Sequence, residues 1–295
     1  MGPTALCALG ALTAGTAEAP ELSATQAFVA AAFFLLLGAA AIPLVRKASR
    51  GMLGATPARR DAFRALDFPL VLVLFVLGQG LTVEIYRAAA GLEVLDLEAL
   101  GVIPALGLSA ASQGLTAAAI LFLALRRSGG AEALGIRGLT PGARGLFAGA
   151  CYLLSIPTLM GLGVLTMGIY TAAGAEPPVQ DTAVLVEGGL ADHPVLIGLL
   201  VAGVIPLLEE ILFRGFLLEL LVARLGVIAG VLLSSSLFAL LHGLEVFLPI
   251  LGLAVVLATV KLRTRSLAAA WFVHAVHNGM TTLLLTQGAL PTDLQ

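Results

Sequence analysis

Eight stretches of this chain are apolar for about the 20 residues that a helix needs to cross a hydrocarbon layer. They run at about 26–45, 66–85, 103–125, 146–171, 195–221, 226–244, 247–262 and 266–287. Of its 295 residues 59% are hydrophobic and only 12% charged, against about 25% charged in a soluble domain. The expected fold is therefore all-α and polytopic, with about eight transmembrane helices and any active site inside the bundle.

The net charge of −2 gives no basic footprint for nucleic acid, so the bilayer is an expected partner and nucleic acid is not. The sixteen lysines and arginines fall in short clusters between the apolar runs. Arg46, Lys47, Arg50, Arg59, Arg60 and Arg64 follow the first run, and Arg126, Arg127, Arg137 and Arg144 the third. Arg224 follows the fifth, and Lys261, Arg263 and Arg265 the seventh. The alternate connections are acidic, with Glu93, Asp96 and Glu98 in one and Glu176, Asp181, Glu187 and Asp192 in another. Basic connections stay in the cytoplasm, so both termini are expected outside it, with Arg87 the one dissenting charge. No lysine or arginine precedes Arg46, and a cleaved secretory leader needs a basic start. Residues 1–25 are accordingly expected to be an uncleaved, non-cytoplasmic segment. Residues 26–190 would form N-terminal transmembrane helices, and 191–288 a transmembrane unit that carries the chemistry. Cys7 and Cys151 lie too far apart in sequence to suggest a metal or redox pair.

Charged side chains inside apolar runs are expensive in lipid, which makes them a functional-site signal. Residues 206–214 read Pro-Leu-Leu-Glu-Glu-Ile-Leu-Phe-Arg. Glu210 and Arg214 are four apart and pair on one helical face, while Glu209, turned about 100° from Glu210, is left to face a cavity. Phe238 and His242 lie in the sixth run, and His274, His277 and Asn278 in the eighth; His193 is in a loop. Counted from the basic marks at 1.5 Å per residue, Glu209, His242 and Asn278 reach depths of about 22, 24 and 20 Å, and His274 about 14 Å. Three separate runs thus bring polar groups to one layer.

A carboxylate and an imidazole across one cavity can hold and deprotonate a water. Asn278 and His274 offer N–H donors for an oxyanion on a carbonyl. The chain has no GxSxG elbow and no HExxH helix, so hydrolysis by water is the expected reaction. Glu209, His242 and His274 would also make a three-ligand zinc set with an open position, and spacing leaves the metal-free and the zinc site both open. Plainer roles suit the remainder. Phe238 reads as core, and Gln113 and Ser234 to Ser236 as helix-packing polar groups. Gly226 and Gly230 form a GxxxG that would let the sixth run pack closely.

Glu-Glu-x-x-x-Arg (Glu209, Glu210, Arg214), Phe-x-x-x-His (Phe238, His242) and His-x-x-x-Asn (His274, Asn278) resemble, in order and spacing, the three motifs of the CAAX protease and bacteriocin-processing (CPBP) family. The resemblance covers about 195–285. It implies a glutamate-dependent intramembrane endopeptidase, as in the type II prenyl-protein endopeptidases, with Glu209 and His242 activating water and His274 and Asn278 stabilising the oxyanion. Glu210 and Arg214 would hold the helix and Phe238 would pack beside the site; His277 stands outside the motif. The resemblance favours no cofactor, with divalent zinc the alternative. The implied substrate is a membrane-anchored or prenylated-type protein or peptide, including one that loses a C-terminal sorting or anchor tail. The Ala, Gly, Leu and Arg bias looks bacterial, which suggests an inner membrane. Two other readings stay open: an idle immunity or scaffold member of the family, and a transporter in which Glu209 and His242 relay protons. For the topology, a reporter fused within residues 128–144 is expected to read as cytoplasmic and one within 176–192 as external; the reverse pattern would invert both termini.

Overall fold

Backbone N–H and C=O groups find no water in hydrocarbon, so each apolar run has to satisfy its own as helix. The computed structural model describes residues 22–50, 62–92, 100–127, 129–136, 142–175, 186, 188–190 and 192–286. Among these residues there is no strand, and every one of the eight apolar runs is helical. The helices are α1 (Ala24–Arg50), α2 (Asp67–Ala89), α3 (Val102–Leu125), the short α4 (Gly130–Leu134), α5 (Ala143–Ala172), α6 (Pro194–Leu225), α7 (Val227–Leu241), α8 (Phe247–Thr264) and α9 (Leu267–Thr286). Six of them, α1, α2, α3, α5, α6 and α8, are long and apolar enough to cross a membrane, and the chain is an integral membrane protein. Of the two others at expected spans, α7 is apolar but has only 15 residues. The 20 residues of α9 are diluted by His274, His277 and Asn278. Residues 1–21 of the N-terminal segment, and with them Cys7, lie outside the described residues, as do Arg59, Arg60, Glu93, Asp96, Glu98, Arg137, Glu176, Asp181 and Glu187.

The axis of the bundle is α6, which packs against α3, α4, α7, α8 and α9. Its aromatic side chains Phe213 and Phe216 meet Phe238 of α7, Ile120 of α3 and Leu134 of α4 in the main core. A second core joins Phe147 and Tyr152 of α5 to Leu253 and Leu257 of α8 and Val273 of α9. Outside it, α1 lies antiparallel along α5, with Gly38 against Thr158, Gly161 against Leu35 and Gly168 against Ala27 and Phe28. Small residues at such contacts let two membrane helices approach. The GxxxG read from the sequence works within the chain: Gly226, at φ +83°, reverses α6 into α7, and Gly230 lies against the backbone of Val222.

One end of the bundle is tied by ion pairs, and here the structure corrects the reading of two topology marks. Lys261 is fully buried; its Nζ donates to Glu219 Oε1 at 2.7 Å and to the Ala133 carbonyl at 2.9 Å. Arg265, at the left-handed corner between α8 and α9, donates to the same Glu219 oxygen at 3.3 Å. The charges the sequence assigns to solvent are thus turned inward by an acid on α6, Glu219, that the motif reading passes over. At α2, Asp67 accepts from both terminal nitrogens of Arg127, from Nη2 at 2.9 Å. The dissenting Arg87 pairs with Glu84 at 2.8 Å and donates to the Leu92 carbonyl at 3.1 Å, closing the end of α2. Removing one partner of a buried ion pair costs about 3–5 kcal/mol, whereas replacing both by apolar groups is often near neutral. Glu219→Ala is therefore expected to lower unfolding stability in detergent by about that amount, and the double variant Glu219→Leu with Lys261→Met by clearly less.

Candidate active site

The helix that carries Glu209 is not regular, contrary to the single long helix assumed in counting depth. Two stretches of α6 are π-helical, Leu199–Val204 and Ile211–Leu217, with six α-helical residues, Ile205–Glu210, between them. In a π-turn each N–H reaches back five residues, as Ile205 does to Leu200 and Leu218 to Phe213. The next donor after Ile205 would be residue 206, but Pro206 has no N–H. The carbonyl of Val201 is then without its partner in that register, and Asn278 Nδ2 donates to it at 3.0 Å. Two residues on, Trp271 Nε1 donates to the Gly203 carbonyl at 2.9 Å.

Glu210 lies at the end of the middle α-helical stretch, fully buried, and one of its oxygens does double duty. Oε1 accepts from Arg214 Nη1 at 2.9 Å, the expected pair, and faces His274 Nδ1 at 2.9 Å. Oε2 makes no hydrogen bond. The rest of the Arg214 charge is met by the Ala254 carbonyl, 3.4 Å from Nη2, and by the face of Phe238, 4.2 Å from the guanidinium carbon. Glu209 is the more open acid, its side chain 15% exposed, and its Oε2 stands 3.7 Å from His274 Nε2. His274 therefore lies between the two carboxylates.

His242 ends α7. Its Nδ1 is 2.7 Å from the Phe238 carbonyl, which can only accept, so Nδ1 carries the hydrogen and Nε2 of the neutral ring keeps its lone pair. The Phe238 ring packs against His242 at 4.3 Å between centroids and against His274 at 5.8 Å. Glu209, Glu210, Arg214, Phe238, His242 and His274 thus form one connected group, with Phe238 at its centre. Asn278 lies one turn beyond His274 and gives one amide hydrogen to Val201, leaving the second N–H for another acceptor. His277 is turned to α5, where the Tyr152 hydroxyl is 3.2 Å from its Nδ1. An apolar cavity of about 290 Å³ lies on the other side of α6, between α2 and α7, lined by Val71, Phe75, Phe213, Phe216 and Leu237 among others, with no expected site residue in its wall.

His274 directs one nitrogen to each glutamate, and among the described residues no group of three or more His, Cys, Asp or Glu side chains is placed to hold a metal ion. Sequence reasoning passed over Trp271, whose signal was its place on the α9 face of His274 and Asn278; that it meets a broken α6 could not be read without the fold. The two adjacent acids are expected to behave differently. Glu210→Ala strands Arg214 in the core and should cost about 3–5 kcal/mol of stability, measured by unfolding in detergent, whereas Glu209→Ala, at a more open position, should stay within about 1 kcal/mol of the parent.

Residues 191–280 match the family model described as Rce1-like, type II CAAX prenyl endopeptidase Rce1-like. No curated protein and no solved structure matches the chain significantly. The matched segment holds α6 to α9 up to Met280, and with them every member of the group around Phe238. An Rce1-like domain in a chain of membrane-spanning helices supports a membrane endopeptidase function in general terms. Residues 191–280 are thus similar to the Rce1-like endopeptidase domain, consistent with the CPBP family that the three motifs resemble.

Proposed function

We propose that the protein is an intramembrane endopeptidase in which Glu209 activates water to hydrolyse a peptide bond of a membrane-anchored or prenylated-type protein. The observation that carries this reading is the facing of the Glu209 carboxylate and His274 at 3.7 Å, with His274 held from behind by Glu210, inside the segment matched by an endopeptidase family. Glu209 takes a proton from water as the water oxygen attacks the scissile carbonyl carbon, whose π pair moves to oxygen. His242, its Nδ1 held by the Phe238 carbonyl, accepts the second hydrogen of that water at Nε2 as a hydrogen bond. An N–H of His274 and the second amide hydrogen of Asn278 face the oxyanion. Collapse of the tetrahedral intermediate breaks the C–N bond, and the departing amine takes the proton from Glu209. Water and peptide are thereby converted to acid and amine with no cofactor in the balance.

The substrate chemistry follows from where the group lies. A site reached only within a bundle of membrane helices suits a chain that is itself anchored in the bilayer, and loss of a C-terminal sorting or anchor tail is the form of cleavage we favour. The residue composition favours a bacterial inner membrane, and the basic connections favour both termini outside the cytoplasm. Glu209→Gln and His242→Ala are each expected to reduce processing of a co-expressed membrane-anchored precursor by about 100-fold or more while the protein still accumulates in the membrane. Unchanged processing in both variants would overturn the reading.

A further inference from the structure

The π-turn Leu199–Val204 takes no part in the proposed chemistry, yet two polar side chains of α9 are committed to its carbonyls. A backbone carbonyl in hydrocarbon has to find a donor, and Pro206 removes the one that the chain would supply to Val201. If the wide turn relaxed to α-helical register, the helix beyond it would shift by one residue, a rotation of about 100°. Glu209 lies five residues past the end of the turn. That rotation equals the angle between Glu209 and Glu210 on a helix, so the state of the turn sets whether Glu209 still faces His274, as it does here at 3.7 Å. Trp271 stands one turn before His274 on α9, and its indole N–H reaches the Gly203 carbonyl at 2.9 Å. It is the only tryptophan in the chain.

We propose that Trp271 is a positioning residue for the reaction: by donating its indole hydrogen to Gly203 it holds the π-turn, and through the turn it keeps the Glu209 carboxylate toward His274. The inference rests on the endopeptidase reading for its consequence in rate, but its geometrical part stands independently. A tryptophan that only fills space would serve as well without its N–H.

Because Trp271 is the single tryptophan, its N–H can be removed by one atom. The full chain is produced in a tryptophan auxotroph fed β-(3-benzothienyl)alanine, which has sulfur in place of N–H, and Trp271→Phe serves as the genetic counterpart. Two quantities are read: kcat and KM on a membrane-anchored precursor, and the rate at which a hydrophobic carbodiimide labels Glu209, followed by peptide mass spectrometry with buried Glu210 as internal reference. The analogue is expected to lower kcat by about 10- to 100-fold, as a small misplacement of a reacting group does, with KM within about twofold. Glu209, freed from its imidazole, should label several times faster. Parental kcat and parental labelling in the analogue protein would overturn the proposal, as would a loss confined to KM. Should the parent show no peptidase activity, or keep it in Glu209→Gln, the endopeptidase reading fails and the labelling rate alone decides whether Trp271 orients Glu209.

Discussion

A single carboxylate oxygen, Oε1 of Glu210, joins the parts of this protein that matter for chemistry. It faces a guanidinium nitrogen from its own helix and an imidazole nitrogen from α9, both at 2.9 Å. An unpaired charge at that depth is costly enough to be rare in membrane helices, so Arg214 cannot sit in the core without Glu210, nor Glu210 without its two donors. The pairing fixes the rotation of α6 against α9. With that rotation set, the adjacent Glu209 is turned to the other imidazole nitrogen, where it keeps some exposure. One acid holds the geometry, and its neighbour keeps the more open position.

Two of the five helices ahead of this group, α4 and α5, contribute support of a specific kind. Tyr152 of α5 reaches His277, so the face of α9 opposite the acids is anchored too. The short α4 offers its Ala133 carbonyl to Lys261 and the Gly135 carbonyl to the N–H of Leu267 at the start of α9. Gly135, at φ +81°, lies so close to the corner between α8 and α9 that a Cβ there would press on backbone. α4 and α5 therefore brace the start and the middle of α9, the helix on which His274 is carried.

Much of this was legible in the residues. Length and hydropathy located all eight helices, because in lipid a run of that kind has no alternative to helix. The motif spacing put Glu210 with Arg214, because i to i+4 neighbours share a face. What escaped the sequence depended on partners from elsewhere. The first π-turn in α6 accepts hydrogen bonds from Asn278 and Trp271, residues more than sixty positions away, and no local propensity signals it. Asn278 was read only as an oxyanion donor, since its attachment to Val201 exists only once the turn does. Lys261 was read only as a topology mark, because the positive-inside rule counts charges and not burial; Glu219, ten residues past Glu209, draws it into the core.

Phe238 has one more implication. Its ring touches the guanidinium of the first motif, the imidazole of the second and the imidazole of the third. Residues that share a partner lose additivity when they are changed together, so the three motifs are energetically one object although they are written on three helices. A chain drifting in sequence could not renovate them one at a time: the aromatic hub makes their tolerance to change collective, and a repair at one corner has to be read by the other two.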